Sequence, residues 1–187
     1  MAHAAPRAPI FAGISRAVVC VLLAVALGAL GGVPGVHAQP GGYSRAFDVT
    51  GVVRHPARLT LADLERYPVS ALRVAFVAGS ASTQAEFTGV PLWTLVSAAG
   101  VETDPRRKND LLRKYVVVTG SDGYQAVIAV AEMLQDYGNQ PILVAYRRDG
   151  ATLGPDEGMA RLVVPEDKRG GRYVDNIVRI EVRNAGT

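Results

Sequence analysis

The amino-acid sequence predicts a single α+β domain in which strands alternate with short helices, and three observations support this class. Short runs rich in Val, Ile and Tyr are separated by Gly, Pro and Asp turn signals, which is typical of strands. The helical patterns between them are short. The chain of 187 residues has a length that suits one domain, with or without its apolar N-terminal segment.

The N-terminal segment, residues 1–38, has the organisation of a secretory signal peptide. Arg7 and Arg16 precede an apolar run over residues 17–30, and residues 36–38 resemble a cleavage site. The apolar run is shorter than the ~20 residues that span a bilayer, so we expect cleavage after Ala38 and not an uncleaved anchor. The sequence therefore predicts a periplasmic or secreted protein that meets the membrane only during export.

The predicted mature chain consists of a flexible N-terminus, residues 39–45, and a folded domain, residues 46–187. It contains no cysteine, because Cys20 is the only one in the sequence. Loss of the peptide's two arginines lowers the formal net charge from +3 to +1, so no excess charge indicates a nucleic-acid partner. His55 becomes the only histidine, which excludes zinc or copper sites built on Cys and His.

The strands are predicted from alternating or continuous apolar runs that turn residues interrupt. A strong turn signal over residues 120–123 separates two of them. The predicted strands cover residues 47–53, 72–77, 115–119, 124–130, 142–146, 161–164 and 177–182.

Four short helices are predicted from capping residues and apolar spacing. Thr60 can cap the first by accepting a hydrogen bond from the backbone near Asp63, and Pro68 ends it. Pro91 suits the first turn of the second helix, which Gly100 closes. A third, exposed and charged, is expected within residues 104–114, and a fourth over 131–137.

Basic residues form the densest functional candidate in the chain. Lys168, Arg169 and Arg172 surround a Gly-Gly pair, where backbone N–H groups and guanidinium groups could hold an anion; the alternative is a solvated basic loop. Arg161 begins an apolar strand, where a guanidinium requires either a ligand or a structural salt bridge to a carboxylate.

Asp122 and Tyr124 place a carboxylate and a phenol near one strand end. They could contribute to a site, or Asp122 could only form an Asx turn before the returning strand.

Four motifs occur in a characteristic order and spacing. They are Phe87-Thr88-Gly89-Val90-Pro91-Leu92-Trp93, Gly120-Ser121-Asp122-Gly123-Tyr124, Gly158 through Arg161-Leu162-Val163-Val164-Pro165, and Ile180-Glu181-Val182. On these motifs the chain resembles the oxidoreductase molybdopterin-binding domain of the sulfite oxidase family, over about residues 47–183.

The resemblance implies a mixed, mostly β core with short helices and a cleft that holds a pterin cofactor through its phosphate and ring edges. It implies a cofactor-binding role for Arg161, for Lys168 and Arg172 in the basic loop, and for Asp122 and Tyr124 beside the cleft. No catalytic residue is assigned.

The departure from the family pattern is at the metal. The resemblance places the family's molybdenum-binding cysteine at the end of the strand before the Gly-Val-Pro-Leu motif, where Phe76 lies in this chain, so Phe76 is also expected among the cofactor-binding residues. Phenylalanine has no thiolate, so the sequence argues against molybdenum, although molybdopterin itself remains implied as a ligand. The absence of an Arg-Arg pair before the apolar run favours export of an unfolded chain, which also argues against a cofactor loaded beforehand.

Three functions follow from the sequence. The first is a noncatalytic module that binds a pterin-like or other small anionic ligand. The second is a molybdopterin-dependent oxidoreductase with a thiolate-free site, and the third is a periplasmic interaction or assembly protein that meets a partner through residues 106–108. A cleft plugged by Phe76 or Trp93 would favour the third, and an open cleft rimmed by basic residues the first.

Overall fold

The computed structural model describes Met1 and residues 42–186, and residues 42–186 belong to one compact unit. The predicted signal peptide and the first residues of the predicted flexible N-terminus lie outside the described residues, apart from Met1. Among the residues described, no helix is both long enough and apolar enough to cross a membrane.

The described residues form strands, short α-helices and two turns of 3-10 helix. The strands are β1 Ala46–Gly51, β2 Ala57–Thr60, β3 Ser70–Ala78, β4 Ala81–Pro91, β5 Lys114–Gly120, β6 Gln125–Ala129, β7 Leu143–Arg148, β8 Ala151–Thr152, β9 Arg161–Val163 and β10 Ile177–Asn184. The α-helices are α1 Leu61–Leu64, α2 Leu92–Ala98 and α3 Val130–Met133, and the 3-10 turns are Asp110–Arg113 and Gly170–Arg172.

The strands form two sheets. The first has the order β2-β1-β10-β5-β6, in which β1 and β10 are parallel and the other neighbours antiparallel. The second has the order β3-β4-β7-β8, with β9 also paired to β7, and it is antiparallel throughout. Both sheets contribute to one hydrophobic core, with Phe47 and Ile180 from the first and Phe87 and Leu162 from the second fully buried. The predicted α+β class with a mostly β core is therefore confirmed.

Helix α2 shows how local sequence determines an element here. Pro91 precedes its first residue, and Leu92, Leu95 and Val96 are buried on one face. Gly100 follows the helix with φ +73°, a conformation that glycine adopts without a Cβ penalty. The prediction of this helix is confirmed.

Three expectations about the elements need correction. The segment 104–114 is not a helix over most of its length, because only Asp110–Arg113 forms one 3-10 turn before Lys114 enters β5. No strand is predicted over the residues of β4, because small and polar residues there interrupt the alternation of apolar and polar side chains. At α1, Asp63 is the acceptor: its carboxylate accepts from the Thr60 backbone N–H at 3.0 Å and from the Thr60 hydroxyl at 2.7 Å.

A buried asparagine positions the chain as it enters β10. Asn176 adopts a left-handed conformation with φ 50°, its side-chain amide donates to the Gly42 carbonyl at 3.0 Å, and its Oδ1 accepts from Ser44 N at 2.7 Å. Gly158 packs directly against it, because a Cβ on Gly158 would lie 2.5 Å from the Asn176 Cα. The residues on either side of Asn176 therefore occupy a closely defined position.

We expect Gly158→Ala to lower the free energy of unfolding more than Gly150→Ala. Both glycines have positive φ, +73° and +80°, but nothing lies within 4 Å of a Cβ on Gly150. Alanine at Gly150 should cost about 1–2 kcal/mol for the left-handed backbone alone, and crowding against Asn176 should add roughly 1–3 kcal/mol at Gly158. Urea unfolding of both variants measures the difference, and equal losses would mean that the crowding is relieved by a small local shift.

Candidate functional site

A cleft of about 430 Å³ lies where the end of β3 meets the segment that leads into β10. Residues 76–79 form one side and residues 169–171 the other, with Arg161, Tyr173 and Asp175 between them. A cleft of this size falls in the range that small organic ligands occupy. Trp93 is not among the residues that line it.

Backbone pairing brings the two sides of the cleft together. Val77 and Arg169 form an isolated parallel bridge, and the Val77 N–H donates to the Lys168 carbonyl at 3.0 Å. Gly170 allows the close approach, since a Cβ there would lie 3.2 Å from the Phe76 ring. The basic loop is therefore fixed against the end of β3.

Two aromatic rings and a guanidinium form the wall of the cleft. The rings of Phe76 and Tyr173 lie 4.5 Å apart between centroids, at 41° to each other. The Arg161 guanidinium carbon lies 5.8 Å from the Phe76 ring centroid and 5.6 Å from those of Phe87 and Tyr173. Such distances allow a cation–π attraction, which is stronger where water is excluded.

The charge of Arg161 is balanced by two carboxylates. Its Nη1 donates to Glu157, and its Nε lies 3.1 Å from Asp175 Oδ1. The second contact is an ion pair without hydrogen-bond alignment, so the buried Nε–H has no acceptor among the described residues. The arginine thus makes the structural ion pairs that the sequence left as an alternative, while one of its donors remains unused.

Asp175 is the acidic residue of the cleft wall. Its side chain is 46% exposed, yet its carboxyl lies against the packed wall, and this burial raises its pKa above the usual 3.8; the Arg161 guanidinium opposes the shift. Glu157 and Asp122 add to the increase. The negative charge on Asp175 is therefore less favourable here than in water.

Tyr173 carries a second unused donor. The residue is 5% exposed, and its hydroxyl is buried without a hydrogen-bond partner among the described residues. Burial, followed by the negative charge of Asp167, raises the pKa of Tyr173 to about 12, so the phenol stays protonated at neutral pH. Buried polar groups are nearly always hydrogen-bonded in proteins, so this hydroxyl needs an explanation.

The basic residues near the cleft differ in how their charges are used. Arg172 donates to both oxygens of Asp167 at 2.8 Å and to Glu132 at 2.8 Å, and these hydrogen bonds raise its pKa. Lys168 and Arg169 make no ion pair within residues 42–186. Arg169 lines the cleft, whereas Lys168 lines only a shallower depression beside it.

Asp122 and Tyr124 lie behind the basic loop. The Asp122 carboxylate accepts from the Tyr124 backbone N–H at 2.9 Å, as in an Asx turn. The Tyr124 hydroxyl donates to the Gly171 carbonyl, and neither residue lines the cleft. Their observed contacts hold the loop that carries Arg169.

Two cleft residues, Tyr173 and Asp175, are absent from the binding candidates that the sequence indicates. They follow the basic loop without a motif, whereas Arg169 is one of the candidates in that loop. An aromatic residue directly after a Gly-Gly basic loop is the signal that could have found Tyr173.

The cleft contains no soft donor for a metal. The end of β3 brings both Phe76 and Val77 to the cleft, and neither side chain has a donor atom. Across the described part of the chain, no group of three or more His, Cys, Asp or Glu side chains is placed to hold a metal ion. The donor set therefore does not fit molybdenum held through a cysteine thiolate.

Comparison with known structures and sequences supports the fold. The sulfane dehydrogenase SoxCD from Paracoccus pantotrophus superposes with a TM-score of 0.61 at 20% identity, over 79% of this chain and 39% of that chain. A nitrate reductase [NADPH] from Phytophthora infestans is 35% identical over 111 residues, which is 58% of this chain and 12% of the reductase. The chain thus spans much less than two thirds of either protein.

The family assignment depends on a broader match. The family model of the oxidoreductase molybdopterin binding domain matches residues 32–186, which include both sheets and the cleft. The chain belongs to the oxidoreductase molybdopterin-binding domain family.

Proposed function

We propose that this chain is a noncatalytic binding module that holds a pterin-like or other small anionic ligand in the cleft without molybdenum. The observation that carries the proposal is the pair of buried donors without acceptors, the Tyr173 hydroxyl and the Arg161 Nε–H, at one cleft. A buried donor without a partner costs about 1–3 kcal/mol. Both atoms are inaccessible to solvent in the free cleft, so a ligand oxygen would reach them only after a small shift of the wall. Accepting a hydrogen bond from either donor would then recover that energy.

The apolar wall suits a flat ring. Phe76 and Tyr173 both line the cleft, with 4% and 5% of each residue exposed, so a flat ligand ring would contact the accessible edges of these rings. Asp175 adds a carboxylate that can accept from a ring N–H or amino group at the same cleft. These groups together match a heterocycle that has both donor and acceptor edges.

The negative end of such a ligand would face the basic loop. Arg169 lines the cleft, and its charge is not balanced by a carboxylate within residues 42–186. Gly171 faces open space, so its backbone can be approached closely by a ligand. Lys168 in the adjoining depression adds a second cation for a longer or more highly charged anion. We therefore assign charge recognition to Arg169 and Lys168, with Arg161 and Arg172 holding the surrounding structure.

The two other functions receive less support. An oxidoreductase of this family would need a metal ligand that the cleft's side chains do not supply. An assembly protein would be favoured by a plugged cleft, but Phe76 forms the wall and Trp93 is elsewhere. We also propose that residues 1–38 are removed and that the chain is exported to the periplasm or the exterior. Export of an unfolded chain would mean that the polypeptide carries no cofactor when it crosses the membrane.

The proposal is tested first on protein purified from its own exported fraction, by native mass spectrometry with metal analysis. A metal-free mass with a bound small anion supports it. Stoichiometric molybdenum would overturn it in favour of the oxidoreductase, and a bound polypeptide in favour of the assembly protein.

We expect pterin-6-carboxylate, a fluorescent anionic pterin, to bind the purified protein, and Arg169→Ala to weaken binding about tenfold. That factor corresponds to the loss of one charge-assisted hydrogen bond, about 1.4 kcal/mol. Arg73→Ala is the matched control, because Arg73 is an exposed arginine on β3 that pairs with Glu86 away from the cleft. Fluorescence titration measures both constants, and an equal loss in the two variants would remove Arg169 from the site.

We expect Tyr173→Phe to raise the free energy of unfolding of the ligand-free protein by about 1 kcal/mol, since it deletes a buried hydroxyl without a partner. The same change should weaken binding of the pterin probe. Tyr124→Phe is the control: its hydroxyl donates to Gly171, so its loss should destabilise the protein. Urea unfolding shows whether each variant has a higher or lower free energy of unfolding than the wild type. A lower value for Tyr173→Phe would show that the Tyr173 hydroxyl has a partner in solution.

We expect binding of the anionic probe to strengthen as the pH falls through the raised pKa of Asp175, because protonation removes a negative charge from the cleft. The free energy of unfolding should change in the same direction. Because the pKa of Asp175 is higher in the folded state, its protonated form stabilises the fold, and this contribution is lost as the pH rises above about 3.8 and through the folded pKa. Asp175→Asn should flatten both profiles. Titrations over this pH range with wild type and variant provide the test, and an unchanged slope in the variant would show that Asp175 is not the titrating group.

A further inference from the structure

A second cleft of about 430 Å³ lies at the other end of the first sheet, where β10 ends and β5 begins. The residues just before β10 line the first cleft, and Asn184 at the end of β10 lines the second. The two clefts are therefore about 25 Å apart along this strand. Four basic and three acidic side chains line the second cleft, and Val52 is its one large apolar side chain among the residues described. It is a polar site that the proposed function does not use.

A buried lysine forms part of this cleft. Lys114 is 4% exposed, and its Nζ donates to Asp110 Oδ2 at 2.8 Å and to Asn184 Oδ1. A lysine ammonium has three N–H donors, so one has no acceptor among the described residues. Asp110 also accepts from the Asp104 backbone N–H at 3.0 Å, and the hydrogen bond from Lys114 is the main cause that lowers its pKa. The lysine is thus held at the cleft by two hydrogen bonds, with one donor in reserve.

Two arginines beside Lys114 also have unused donors. Arg107 contacts a carboxylate only at 3.8 Å, between its Nε and Asp104 Oδ2. Arg113 donates one N–H to the Ala185 carbonyl at 3.1 Å and makes no ion pair with another described residue. Arg106 differs, because both its Nε and Nη2 donate to Asp104, at 3.0 and 3.2 Å. The four cations and three carboxylates, Glu102 among them, leave the cleft with one net positive charge, and Arg107 and Arg113 are the two cations that carboxylates of the described residues hold least closely.

We propose that this second cleft binds a small oxyanion, a carboxylate or a phosphate, between Arg107 and Arg113 and over the buried Lys114. Guanidinium groups hold such oxygens through paired hydrogen bonds, and the ammonium adds a point charge below them. The site is independent of the pterin-like ligand and of the first cleft. Carboxylates and phosphates both present the oxyanion that this site would bind, and separate titrations distinguish between the two ligand classes.

The test is calorimetric titration of the purified protein at low salt with inorganic phosphate and, separately, with succinate. We expect saturable binding of at least one probe at millimolar concentration or below, with the tighter probe identifying the source. Arg113→Ala and Arg107→Ala should each weaken binding about tenfold, the effect of a lost charge-assisted contact. Both side chains are exposed, so the fold should be retained, which circular dichroism checks.

Two matched variants keep the test specific. Lys108→Ala removes an exposed neighbouring cation that does not line the cleft, and Arg73→Ala removes an exposed cation on β3 that lines neither cleft. Neither should change phosphate or succinate binding more than about twofold. An equal loss in Lys108→Ala, or no saturable binding of either probe up to roughly 10 mM, would overturn the proposal. If the pterin probe does not bind to the first cleft, the proposal for the second cleft is not affected.

Discussion

The ion pairs of Arg161 hold together the part of the molecule that forms the first cleft. The arginine begins β9, its two carboxylate partners come from the segments before β9 and before β10, and the three rings around it come from β3, β4 and the chain leading to β10. Its side chain is only 11% exposed, so the charge is tolerated because Glu157 and Asp175 compensate it. The position of Tyr173 in the cleft depends on this arrangement.

Because those charges are balanced internally, the ligand binding that we propose for this cleft depends on other groups. Arg161 and Arg172 both look like anion-binding residues in the sequence, yet each is neutralised by two carboxylates. What remains for a ligand is a pair of buried donors, an aromatic wall and the loop cation Arg169. A cleft of this kind favours a neutral or weakly charged ring with an anionic end over a bare metal centre.

The first sheet connects two polar regions with different construction. At the start of β10 the cleft is walled by aromatic rings and lined by a half-exposed carboxylate, whereas at its end Lys114 lies against Asp110 under exposed arginines. The strand between them is buried at Ile177, Ile180 and Val182, so the two regions share a rigid core. One small domain thus carries two clefts whose lining residues differ in chemistry.

Much of the architecture is determined locally and can be predicted from the sequence. The β-branched run before Gly120, the Pro91 and Gly100 limits of α2 and the alternation in β10 depend on neighbours within a few residues, as do the motifs that identify the family. The missing thiol of the predicted mature chain is likewise a matter of composition, because Cys20 is the only cysteine.

Tertiary structure decided the rest, for reasons that involve distant residues. Strand β4 exists because β3 and β7 pair with it on both sides. The segment 104–114 forms only one 3-10 turn, because Asn109 before it is left-handed with φ 55° and Lys114 after it pairs with Asn184 of β10 in the sheet. Which cations stay available is decided by carboxylates up to 40 residues away, as Glu132 shows for Arg172. The unpartnered hydroxyl of Tyr173 is likewise a property of the packed cleft, since hydrogen bonding of a buried group depends on what the fold brings to it and not on its neighbours in sequence.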